Sequence, residues 1–233
     1  MASSHDAIGH FKKTEQDSAL ILGVTAGKDE NDATTSNIDV PDYTKNLSHE
    51  VKTLRVGIDP EFHSEHIEAD SLNLLKNAYK VIKNILGSQI IPDIALPHSK
   101  YANACYYIIQ TSEVSSNLAR YDGIRYGNNR DKFGEEAKRR IMLGTHALSS
   151  GYYDQYYNRA SQIRSKLIEE FKKVFEKVDV IIAPVSPTPP WKIGEKVDDP
   201  LKMYLSDVFT VTANLTGLPA LSIPIGFTKN GLP

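Results

Sequence analysis

Cysteine is nearly absent: 233 residues contain one, Cys105. A single thiol cannot close an internal disulfide, and there is no CxxC pair or Cys/His cluster of the kind that holds zinc. Charge of one sign is lacking too, because 27 Lys and Arg face 29 Asp and Glu and leave a formal charge of -2. That balance excludes a chain that holds nucleic acid mainly through phosphate contacts, so any RNA contact is expected to belong to a partner. Long apolar runs are missing as well. None approaches the roughly 18 residues a membrane span needs, and the opening Met1-Ala2-Ser3-Ser4-His5-Asp6 has neither the basic region nor the apolar stretch of a signal peptide. A reducing cytoplasm and no membrane partner are the resulting expectations.

Histidine is present but scattered, at His5, His10, His49, His63, His66, His98 and His146. His63 and His66 stand three apart without an evident third ligand, so neither a metal site nor a general base is assigned.

What the chain does have is an ordinary globular composition, 40% hydrophobic and 24% charged, enough to bury the core of one α/β domain. Thr14 and Asp17 have capping-box spacing ahead of Ala19, Leu20, Ile21, Leu22 and Val24, which predicts a short buried helix ending near Gly27. The Asp-, Asn-, Thr- and Ser-rich stretch over 28–41 reads as a surface loop. Leu54-Arg55-Val56-Gly57-Ile58 is a strand signal, and Leu72, Leu75, Ala78, Tyr79, Ile82 and Leu86 follow at helical spacing. Gly87 and the strand-like Ile90-Ile91 then complete a βαβ unit with parallel strands.

A helix is predicted from His98 to Arg120, with Ser112, Ser115, Ser116 and Asn117 making its second half polar enough to suggest a cavity wall. Further helices are predicted over 135–149 and 152–176, then a buried strand at Val180-Ile181-Ile182-Ala183. Pro184, Pro187, Pro189 and Pro190 forbid regular structure after it, which fits either a loop pinned beside a site or a structural corner. A last helix from Pro200 to about Leu215 and a strand from Ala220 to Ile225 complete the reading.

Several literal runs carry a resemblance. They are Tyr106-Tyr107-Ile108-Ile109, the stretch from Glu113 through Arg120-Tyr121-Asp122-Gly123 to Gly127, and Lys138-Arg139-Arg140-Ile141-Met142-Leu143-Gly144-Thr145. Others are Ala147-Leu148-Ser149-Ser150-Gly151-Tyr152-Tyr153-Asp154, Ala183-Pro184-Val185-Ser186-Pro187-Thr188-Pro189, Asp198-Asp199-Pro200-Leu201 and Asn214-Leu215-Thr216-Gly217-Leu218-Pro219-Ala220. Together they resemble the amidase-signature family, and within it the A subunits of the aspartyl/glutamyl-tRNA amidotransferases, over essentially the whole chain. The opening segment through Phe11 resembles the stretch just after the family's signature region, with His10 where proline is usual. Between Gly127 and Phe133 the chain is shorter than many relatives.

The resemblance implies an α/β amidase-signature fold, a mixed β-sheet covered by helices on both faces, with residues 1–233 forming the later portion of a single domain that is incomplete at both ends. It implies that the family's catalytic lysine, bridging serine and nucleophilic serine precede this chain, so no catalytic residue is assigned. Ser115-Ser116 and Ser149-Ser150 align elsewhere in the family and are expected to serve helix packing or capping.

Glutamine carries an α-carboxylate and an α-ammonium at fixed separation, and a site that selects it should present one cation and one anion. By resemblance Arg140 would take the carboxylate, Asp207 the ammonium, and Tyr106 would line the same pocket. On the residues alone, Arg140 is a surface cation of a basic trio, Asp207 a buried or capping aspartate in an apolar helix, and Tyr106 a core aromatic. The implied activity is release of ammonia from glutamine for amidation of Glu-tRNA(Gln) or Asp-tRNA(Asn). Partner B and C subunits complete a heterotrimer, and B handles tRNA, ATP and magnesium, leaving no cofactor in this chain. A stand-alone small-amide amidase and a non-catalytic scaffold are the alternatives.

Overall fold

The computed structural model describes residues 1–47, 54–58, 67–86, 89–92, 94–195 and 199–233. His49, His63, His66, Gly87 and Asp198 lie outside the described residues. The chain divides into two compact units, one of Ala7–Thr53 and one of Met1–Asp6 with Leu54–Pro233.

In the smaller unit, α1 runs over Glu15–Thr25, and the Thr14 hydroxyl accepts the Asp17 amide at its N-terminus, as the capping pattern predicts. The helix is less buried than its apolar run suggests: Ala19 is its one buried residue, while Leu20 is 53% and Val24 85% exposed. Its apolar residues are nearly consecutive, so they point around the whole helix instead of along one stripe. Gly27 follows at φ 131°, where an added Cβ would come within 3.2 Å of the Val40 side chain.

The larger unit is built on a three-stranded sheet in the order β2-β1-β3, with β1 Val56–Ile58, β2 Ile90–Pro92 and β3 Val180–Ile182. Val56 pairs with both Ile90 and Val180, and every ladder among the described residues is parallel, not mixed. The expected βαβ unit is there, with α2, Ala69–Leu86, joining β1 to the adjacent β2. Gly57 suits the central strand because a Cβ would come within 3.1 Å of Ile94 and Val178. β3 is less buried than its sequence suggests, Val180 being 38% exposed at the sheet edge.

Three helices lie between β2 and β3 in the chain. α3 spans Ala102–Leu118 after a 3₁₀ turn, α4 spans Glu135–Ala147, and α5 spans Arg159–Phe175 after one π-helical turn at Asp154–Asn158. One apolar cluster joins sheet to helices: Ile67, Leu75 of α2, Ile94, Leu96, Phe171, Val174, Val178 and Phe209 meet, with Ile91 of β2 and Ile181 of β3 packed against them. A second joins α3 to α5 through Cys105, Ile109, Ala160, Leu167, Val211 and Leu215. Cys105 is buried, donates Sγ to the Ala160 carbonyl, and has its thiol pushed up to about 11 by burial, so it is inert packing.

The polar half of α3 lines a helix interface and not a cavity. Ser112 is 1% exposed and bonds back to the Ile108 carbonyl, while Ser115 bonds Thr145 of α4 at 2.8 Å. Small polar side chains that satisfy their own helix let two helices approach closely. Ser149 likewise caps the His146 carbonyl.

The predicted helix over 200–215 is two short ones, α6 Pro200–Leu205 and α7 Val211–Thr216, separated by a turn that contains Asp207. Residues 220–225 form no strand, and Leu221 and Ile223 are 70% and 53% exposed. β propensity forms no strand without a partner edge. The proline segment after β3 is tied to the start of α2, where the buried Pro187 carbonyl accepts the Glu68 amide at 2.9 Å.

Arg55 fastens the entry of β1 to that of β3. Its amide and guanidinium both reach the Asp179 carboxylate, at 2.8 and 2.7 Å. The Arg55 hydrogen bonds hold the Asp179 carboxyl down at about 2. Because the folded value is depressed, the contribution is present above the ordinary carboxylate range and lost as pH falls toward 2. The melting-temperature gap between wild type and Asp179→Asn should therefore be constant above about pH 5 and close between about pH 4 and 2. A gap that does not change with acid would refute the assignment.

Candidate amino-acid site

Tyr106 and Tyr107 are neighbours on α3, so helical geometry turns them roughly 100° apart and lets them face different partners. Tyr107 is central. Its hydroxyl donates to Asp207 Oδ2 at 2.7 Å, and its ring lies 4.1 Å from that of Tyr204 at the end of α6. The Arg140 guanidinium, brought in by α4, sits over the same ring at 5.8 Å from its centroid. Tyr106 meets Tyr107 edge-on at 5.3 Å.

The three residues singled out in the sequence are thus brought together, from α3, α4 and the α6–α7 turn. Asp207 does not sit inside a helix as its apolar neighbours suggested. Its backbone carbonyl accepts the Thr210 and Val211 amides, while its carboxylate accepts from the Tyr107 hydroxyl.

Arg140 Nε donates to Glu136 Oε1 at 2.7 Å, and Glu136 also pairs with Arg139. Arg140 is thereby held by one edge, with a side chain 25% exposed. Burial, and then the Asp207 carboxylate that accepts its proton, push the Tyr107 phenol far above its ordinary value. Tyr106 is raised as well, chiefly by burial, with Arg140 opposing and Asp207 assisting. Both phenols are neutral at physiological pH, one cation and one anion flanking them.

Sequence reading missed Tyr107 as the residue that holds Asp207, and Glu136 as the orienter of Arg140. The second was findable, since Glu136 and Arg140 are four apart on one helix face. The first needed the tertiary contact.

A model of the amidase family matches residues 1–233. The chain belongs to the amidase family. It is 48% identical to the A subunit of the glutamyl-tRNA(Gln) amidotransferase of Desulfatibacillum aliphaticivorans, over 100% of this chain and 50% of that protein. It is 46% identical to the protein of the same name from Brevibacillus brevis, again over 100% of the chain and 50% of that relative. The chain therefore spans about half the length of the curated relatives it matches.

Among solved structures, the A subunit of the glutamyl-tRNA(Gln) amidotransferase of Thermotoga maritima matches with a TM-score of 0.80 and 38% identity, over 99% of this chain and 48% of that one. A 6-aminohexanoate cyclic dimer hydrolase, 18% identical with a TM-score of 0.71 over 94% of this chain and 48% or less of its own, shares the fold. In this amidase chain no helix among the described residues is long and apolar enough to cross a membrane. No group of three His, Cys, Asp or Glu among them could hold a metal ion.

Proposed function

We propose that this chain is the glutamine-binding half of the ammonia-supplying A subunit of a tRNA-dependent amidotransferase, the later portion of a single amidase domain. One observation carries the reading: an arginine and an aspartate from different elements converge on the Tyr107 ring. Glutamine would place its α-carboxylate on the Arg140 guanidinium and its α-ammonium on Asp207, with Tyr106 as a wall. Tyr107 holds the Asp207 carboxylate in one rotamer through its hydroxyl, so the anion is oriented before ligand arrives.

Main-chain groups held in this way direct the carboxamide outward to the nucleophile. By family resemblance that nucleophile is a serine activated through a second serine and a lysine, and no residue of this chain is assigned to those roles. Alone, the chain is expected to bind glutamine without hydrolysing it. In the assembled enzyme, B and C subunits would complete the cytoplasmic heterotrimer, with tRNA, ATP and magnesium acting on B. The product would be Gln-tRNA(Gln) or Asn-tRNA(Asn).

The test is Arg140→Ala in the full-length subunit with its partners. Loss of a charge-assisted carboxylate contact is expected to raise the glutamine Michaelis constant about 100-fold, on the order of 3 kcal/mol. Amidation supported by added ammonium salt should be unchanged, because it bypasses the glutamine site. An unaltered Michaelis constant for glutamine would remove the carboxylate contact from the proposal, and it would favour a small-amide amidase of another specificity.

A further inference from the structure

Behind Tyr106 lies a polar cluster that the clamp does not use. His5 is buried, its side chain 1% exposed, and its ring meets Tyr106 edge-on at 5.4 Å and 86°. His5 Nδ1 is 3.0 Å from Ser4 Oγ, and Glu113 Oε2 lies 3.9 Å away. Ser4 Oγ also bonds Glu113 Oε1 and lies 2.7 Å from Arg164 Nη1. The Arg164 guanidinium reaches the Ser4 carbonyl at 2.8 Å and the Leu215 carbonyl at 2.7 Å, while the His5 carbonyl accepts from Asn214 at 2.8 Å. The backbone on both sides of the His5 ring is therefore pinned to α5 and α7.

The donors and acceptors around the Ser4 hydroxyl set the state of the imidazole. A hydroxyl has one proton to donate and two lone pairs to accept with. Glu113, as a carboxylate, can only accept, so the Ser4 proton goes to it. Arg164 can only donate, and it occupies one Ser4 lone pair. The remaining lone pair faces His5 Nδ1, which must then carry a proton. Burial and the neighbouring Arg164 lower the His5 pKa, against the opposing pull of Glu113. The ring is neutral, so Nε2 is bare. That atom is buried and meets no hydrogen-bond partner among the described residues, so the ring is held through Nδ1 and its packing alone. A buried acceptor left unpaired is costly, and such a group in a folded protein calls for a reason.

We propose that His5 is a positioning residue of the amino-acid clamp: fixed by Ser4 as the neutral Nδ1–H tautomer, it sets the Tyr106 ring that walls the glutamine pocket. The proposal rests on the glutamine reading above. Its action runs through one residue, and a double-mutant cycle isolates such coupling.

Glutamine affinity would be measured calorimetrically on the full chain for His5→Leu, Tyr106→Ala and both together. His5→Leu is expected to weaken binding about tenfold alone and less than about twofold when Tyr106 is already alanine. Equal losses in both backgrounds mean that His5 acts on the fold generally and overturn the proposal, as does unchanged affinity in His5→Leu. Imidazole ¹⁵N shifts give a second readout: the Nδ1–H tautomer is expected in wild type, and a proton on Nε2 instead overturns the proposal. Ser4→Ala, which deletes one exposed oxygen, serves if His5→Leu fails to fold, with the same cycle expected. If Tyr106→Ala and Arg140→Ala both leave glutamine affinity intact, the clamp itself falls and takes this proposal with it. An additive cycle with large single effects removes only the role of His5.

Discussion

Alanine at Gly144 is expected to destabilise the larger unit by about 3 kcal/mol, the upper end for overpacking by one methyl group. A Cβ there would stand 2.0 Å from the Thr111 carbonyl oxygen, 2.5 Å from its carbon and 2.8 Å from Ser115 Cβ. The obstacle is helical backbone, which no rotamer change can move aside, so α3 and α4 must separate. Separation would also pull at the Ser115–Thr145 hydrogen bond that crosses the same contact. The site feels it too. Thr111 is one turn beyond Tyr107 on α3, and Gly144 is one turn beyond Arg140 on α4, so spreading the helices lifts the guanidinium from the Tyr107 ring. Urea unfolding with a glutamine titration should show both losses together. A destabilisation below about 1 kcal/mol would mean that the helices are less closely packed than this.

Asp207→Ala is expected to weaken glutamine binding about 100-fold or more, because removing one member of an oriented charge contact costs about 2–5 kcal/mol. Asp207→Asn separates charge from hydrogen bonding. The amide still offers Tyr107 an acceptor, so the ring stays placed, yet most of the affinity should still be lost if the anion meets the α-ammonium. A glutamine analogue without its α-amino group supplies the control. It is expected to bind wild type and Asp207→Ala alike, and a large difference between the two for that ligand would assign Asp207 to another role.

The elements that were legible in the sequence are those whose information is local. Thr14 caps the Asp17 amide because a side-chain oxygen three residues upstream of an amide reaches it in any helix start. Likewise β1, α2 and β2 follow from a short apolar run, a helical spacing and a second run. Residues 220–225 have strand-forming side chains but no strand beside them among the described residues, so there the deciding partner was remote. The α1 reading failed on a local ground, apolar residues around its whole circumference with no single face to bury.

The site divides along the same line. Tyr106 and Arg140 lie in literal runs shared with the amidase family and Asp207 was carried by the same resemblance, whereas composition with periodicity would have left them as a core aromatic, a surface cation and a buried or capping aspartate. The sequence alone settled the chain's family, its parallel βαβ start and the residues worth testing, because these depend on residue order. Only the tertiary structure made Tyr107 the joint between Asp207 and Arg140, set Gly144 against Thr111, and buried His5 Nε2 away from any hydrogen-bond partner among the described residues. Each of those depends on distances between residues that sequence separation does not constrain, 100 positions in the case of Tyr107 and Asp207.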